Sequence, residues 1–175
     1  MVPSLGVPMR RALSAIVLFA SVAASVATSK LPTKTTTTSF RGPVADVTDD
    51  VPASYTLDVL ATQSPSGPFD GAALVLADVT AAGPATVTAT LSLMDGSGAT
   101  ELARDTVVLS SGAGELFLFD DLHAFAGCAD GATCDQAFQL VFHTSGDADV
   151  DWTFEADLYD VDELGRTGEL SVHLR

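Results

Sequence analysis

The chain has 175 residues, 47% of them hydrophobic, enough for one ordinary domain with a real core once any leader is removed. Its 23 acids against 8 bases give a formal charge of -15, a field that repels nucleic acid and anionic membranes and leaves cationic partners open. Asn is absent, so there is no N-glycosylation acceptor.

Arg10 and Arg11 precede the apolar run ALSAIVLFASVAASVA, which closes on the small-residue pattern Ser25-Val26-Ala27. Basic start, short apolar stretch and small residues at the cut are the build of a secretory leader. Residues 1–27 are therefore expected to be a cleavable signal peptide, with maturation near Thr28 and a secreted or periplasmic location. The apolar stretch is shorter than the ~20 residues that a membrane span needs, so no membrane insertion is expected after cleavage. Met9 stands directly before the arginines and offers a second start for the same leader. Cleavage removes two arginines and no acid, leaving 6 bases and 23 acids, a charge of -17. Residues 28–43 are polar and Thr-rich, hold both lysines (Lys30 and Lys34) and lack an apolar period. They are expected to be a linker.

From Val44 to Arg175 the chain reads as one β domain. Tyr55, Leu57, Val59 and Ala61 alternate with polar neighbours, and Val87, Ala89, Leu91 and Leu93 alternate with Thr and Ser more cleanly still. Period-two alternation marks half-buried strands. GAALVLADVT, Gly71 to Thr80, is apolar on both sides and reads as a central strand. MDGSG, Met94 to Gly98, is a hairpin turn into a strand near Thr100 to Ser110. Leu116 to Phe119, Ala137 to His143 and Glu169 to Arg175 complete the set, and no segment has the period of an amphipathic helix.

Gly146 to Gly165 holds eight carboxylates in twenty residues. Ala148, Val150, Trp152, Phe154, Ala156 and Leu158 fall at even positions, opposite Asp149, Asp151, Thr153, Glu155 and Asp157 at odd ones. This is a strand with one apolar and one acidic face. A calcium loop would need Gly at its sixth position and an acid at its twelfth, and from Asp147 those positions hold Trp152 and Leu158. Trp152 is thus expected in the core, with Tyr159 facing the other way.

Cys128 and Cys134 sit in the longest irregular segment, Asp120 to Asp135. In an exported chain their spacing points to a disulfide that staples the loop and adds about 2 kcal/mol. A sixteen-residue connection is longer than a sandwich turn requires, which makes this loop the expected ligand site. No cofactor is expected from motifs, and Asp is also a routine turn residue; if a cation binds, Asp120, Asp121, Asp130 and Asp135 could supply oxygen ligands to calcium, with His123 among them as a further ligand.

These strands fit an all-β fold, an antiparallel two-layer sandwich, jelly-roll-like, with eight to nine strands and one disulfide-stapled loop. A small outer-membrane barrel would need aromatic girdles, which two Tyr and one Trp do not supply. No nucleophile elbow, metalloprotease motif or phosphate loop is present, and His123, His143 and His173 stand far apart. The expected function is that of an exported noncatalytic module with a structural, adhesive or interaction role, its partner a protein or a surface glycan. The alternatives are a binder of calcium or carbohydrate and, behind it, a hydrolase or a small outer-membrane barrel.

Overall fold

The computed structural model describes residues 33–49, 51–64, 69–121, 134–160, 165 and 167–175. Ten strands are described and no helix: β1 (Thr33–Arg41), β2 (Ala45–Val47), β3 (Ala53–Ser64), β4 (Phe69–Ala81), β5 (Ala85–Asp95), β6 (Gly98–Leu109), β7 (Gly112–Asp121), β8 (Cys134–Thr144), β9 (Ala148–Asp160) and β10 (Thr167–Leu174). They form two antiparallel sheets. One runs β1-β9-β4-β7, with β2 following β1 along the same edge of β9, and the other runs β10-β3-β8-β5-β6.

The pairings are nested. β5 pairs β6 across a two-residue turn, β4 pairs β7, β3 pairs β8, and β1 with β2 pairs β9. Strands β1 to β9 thus follow the pattern of one long hairpin rolled over on itself, with its tip at Gly96-Ser97. Asp95 fixes that tip, its Oδ1 accepting from the Ser97 amide at 2.7 Å and the Ser97 hydroxyl at 2.6 Å.

Alternation decides which face is inside. Leu57, Val59, Val75, Val79, Val87, Leu91, Leu116, Leu118, Phe138, Leu140, Phe142, Val150 and Phe154 are buried in a single cluster between the sheets. Trp152, 1% exposed, ties the layers together. Its ring centroid lies 4.9 Å from Tyr55, 6.1 Å from Phe40 and 6.2 Å from Phe142. On β9 the even positions are buried as their spacing predicts.

The linker expected over residues 28–43 needs correction: Thr33–Arg41 is an edge strand, paired with β9 from Thr33↔Asp160 to Arg41↔Thr153 with one register shift between Lys34 and Thr36. Ladder hydrogen bonds need no apolar period, and β-branched Thr suits an extended edge. Side chains then hold it. Lys34 Nζ lies 2.7 Å from Asp157 Oδ1 and 3.4 Å from Glu155, the Thr37 hydroxyl donates to Asp157 Oδ1 at 2.7 Å, and Arg41 grips Asp151 with two donors. This cover leaves Asp157 buried, although its odd position placed it on the wet face. With β1 and the three-residue β2 the count is ten strands rather than eight or nine.

Where the sheets meet side by side, each seam carries a side-chain hydrogen bond. The Thr36 hydroxyl on β1 donates to the Gly168 carbonyl on β10 at 2.6 Å. At the opposite seam Asp105 on β6 accepts from the Phe117 amide on β7 at 2.8 Å and from the Thr106 amide at 2.8 Å. Gly114 allows that close approach, since a Cβ there would stand 2.8 Å from Val107 Cγ2.

Candidate docking face

The outward surfaces of the two sheets differ in chemistry. On the β10-β3-β8-β5-β6 sheet, Ser54, Thr56, Thr88, Thr90, Gln139, His143 and His173 point outward, the two histidines exposed as their polar neighbours imply. Thr88 and Thr106 share a 3.0 Å hydroxyl contact and Gln139 donates to Ser54 at 3.3 Å. That surface is mostly polar, with Leu60 and Val108 exposed on it as separate apolar residues on β3 and β6.

The β1-β9-β4-β7 sheet carries an apolar block outside. Its register lays the outward residues in rows: Asp151, Asp78 and Glu115; then Thr153, Leu76 and Phe117; then Glu155, Leu74 and Phe119. Leu76, Phe117 and Phe119 are 48%, 56% and 45% exposed, and the two rings lie 6.3 Å apart at 25°. Scattered surface apolar residues need no explanation, but the largest contiguous apolar patch on a domain is often its contact surface. A cleft of about 500 Å³ runs beside it, lined by Arg41, Leu76, Asp78, Glu115, Phe117, Asp151 and Thr153 among others.

Acids surround the block. Among the described residues Asp46, Asp70, Asp78, Glu115, Asp121, Asp149, Asp151, Glu155 and Asp157 share this outward parity, with Lys34 and Arg41 as cations on the same face. The hydrogen bond from Lys34 to Asp157 raises the lysine pKa above its usual value, and the bond to Asp151 does the same for Arg41. Burial pushes the Tyr159 hydroxyl up, with the Asp157 charge adding to it. Burial likewise raises Tyr55, opposed by the Trp152 indole N–H.

The loop expected to hold a ligand is only framed by the described residues. Asp120 and Asp121 end β7, and Asp135 opens β8 opposite Leu60 on the other sheet. His123, Cys128 and Asp130 lie outside the described residues, as does the Cys134 side chain, so the expected disulfide and the expected ligands His123 and Asp130 fall outside what the structure describes. Among the described residues no group of three or more His, Cys, Asp or Glu is placed to hold a metal. No helix among them is long and apolar enough to cross a membrane.

Leu76, Phe117 and Phe119 were not singled out by their sequence, yet the signal was there. GAALVLADVT and LFLF are apolar at both parities, and a two-layer sandwich has only one inside, so one apolar set must face out.

No family model and no curated protein matches this chain. Among solved structures, the chain is similar to one in the electron cryo-microscopy structure of the cowpea mosaic virus empty virus-like particle. The two are 14% identical over 74% of this chain and 88% of that one, with a TM-score of 0.28.

Proposed function

We propose that this chain is an exported, noncatalytic jelly-roll module that docks a protein partner on the outward face of its β1-β9-β4-β7 sheet, at the cell surface or outside the cell. The nested pairing supports the jelly-roll assignment: β1 and β2 with β9, β3 with β8, β4 with β7 and β5 with β6 form a hairpin rolled over on itself, to which β10 adds at the β3 edge. One observation carries the docking reading: Leu76, Phe117 and Phe119 are exposed side by side in adjoining rows of one face, whereas Val44, Val51, Leu60, Val108 and Leu174, also exposed, lie on other segments.

Face docking is favoured over edge pairing, because both seams carry side-chain hydrogen bonds and Asp105 occupies an amide on the β7 edge. Phe without a polar handle, ringed by acids, suits a protein surface better than a sugar, which calls for Tyr or Trp to reach its hydroxyls. The leader-like N-terminus supports export. Native-mass chromatography of material from the host tests the reading. Wild type should elute in an assembly above monomer mass, and Phe117→Ser with Phe119→Ser should elute as monomer with an unchanged thermal midpoint. Wild type at monomer mass, or a variant that stays assembled, refutes it.

A further inference from the structure

Asp151, Asp78 and Glu115 stand directly across from one another on β9, β4 and β7. Like charges at cross-strand positions repel and weaken a sheet, so a row of three is a cost that solubility alone does not require. Arg41 is engaged with Asp151 through two donors. Among the described residues no cation lies within ion-pair distance of Asp78 or Glu115. Elsewhere on the face Lys34 holds both Glu155 and Asp157, and Asp46 stands across from Asp149 as a like-charge pair away from the apolar block. The row also borders the exposed ring of Phe117, and the 500 Å³ cleft is lined by both. Asp78 and Glu115 line a second, adjoining hollow of about 400 Å³.

We propose that the docked partner is a basic, apolar-bearing protein segment, and that one of its arginine side chains lies against the Phe117 ring between Asp78 and Glu115. This assignment rests on the docking reading above and deepens it. A guanidinium is flat, so it can stack on an aromatic face while its edge donates to carboxylates; an ammonium is a point charge and cannot do both. The segment's apolar side chains meet Leu76 and Phe119, and its cations relieve the repulsion in the acidic row. A second copy of this chain is a poor occupant, because at a formal charge of -15 it would bring the same carboxylates to the interface.

Calorimetric titration of the purified mature protein with an octapeptide of alternating Arg and Leu tests this. The comparisons are peptides alternating Lys with Leu, Glu with Leu, and Arg with Ser. The Arg–Leu peptide should bind tightest, and its affinity should fall with added salt. Asp78→Asn with Glu115→Gln should weaken it about tenfold and flatten the salt dependence, with no loss of thermal midpoint since the repelling charges are gone. Phe117→Ser should weaken it comparably. Wild-type affinity in the double acid variant, equal binding of the Glu–Leu peptide, or self-association through this face without peptide would overturn the proposal. The two readings fail differently. If docking on this face is wrong, Phe117→Ser changes nothing here or in the native assembly; if only the charge assignment is wrong, Phe117→Ser weakens binding and the acid variant does not.

Discussion

Gly42 is where the reading of residues 33–41 as part of the domain is most exposed to test. The residue joins β1 to β2, and its amide donates to the Trp152 carbonyl at 3.1 Å. A Cβ built on it would fall inside the indole of Trp152, on Cζ2 and Cε2 and 2.6 Å from Cη2. The ring is 1% exposed and is packed by Phe40, Tyr55 and Phe142, so it has no free direction in which to yield. Gly42→Ala must therefore displace the ring or lift β1. Overpacking of this kind costs roughly 2–3 kcal/mol. With a urea slope of about 2 kcal/mol/M, the midpoint should drop by roughly 1–1.5 M at unchanged slope. Trp152→Leu should relieve the clash, so the two substitutions together should cost about 1 kcal/mol less than their sum or better. A Gly42→Ala protein within about 0.5 kcal/mol of wild type, or strict additivity with Trp152→Leu, would refute the docking of β1 on the core.

Lys34, Tyr55 and Tyr159 all hold folded-state pKa values above their ordinary ones, so the folded form keeps these protons longer than the unfolded chain does. Their contribution is complete below about pH 10 and is lost as pH rises through the folded values. The thermal midpoint should be level from about pH 7 to 9 and fall above about 10, less steeply in Lys34→Met with Tyr159→Phe; an unchanged slope contradicts the coupling. Asp105→Ala should cost about 1–2 kcal/mol by leaving the Phe117 amide uncapped, read as a lowered urea midpoint, and no loss would show that the seam bond adds nothing. Denaturing thiol titration of exported protein should find no free cysteine and intact mass should begin near Thr28. Two reactive thiols would overturn the expected bridge of Cys128 and Cys134, and a retained leader the expected export.

Strands whose outer face meets water were legible because alternation reports one covered face directly. Tyr55 to Ala61, Val87 to Leu93 and Ala148 to Leu158 fall inside β3, β5 and β9 with the expected residues inward. β1 was not legible, because its hold on the sheet comes from ladder bonds and from Lys34, Thr37 and Arg41 reaching acids more than a hundred residues away. Spacing along the chain carries no trace of such pairs. The apolar face was half legible: the double-sided pattern of GAALVLADVT located the central strand β4, but which of its two apolar sets faces out was fixed only by the fold, which leaves Leu74 and Leu76 on the outer face. Which acids would form one row depended on the register between β9, β4 and β7, fixed only once the hairpin had rolled up.

The most direct test of the docking claim is site-specific photo-crosslinking in the native host. A benzoylphenylalanine replaces Phe117 on the proposed face in one protein and exposed His143 on the opposite sheet in another. The account predicts a discrete adduct from position 117 that disappears with Asp78→Asn and Glu115→Gln, and none from position 143. An adduct from position 143, or none from 117, would contradict it.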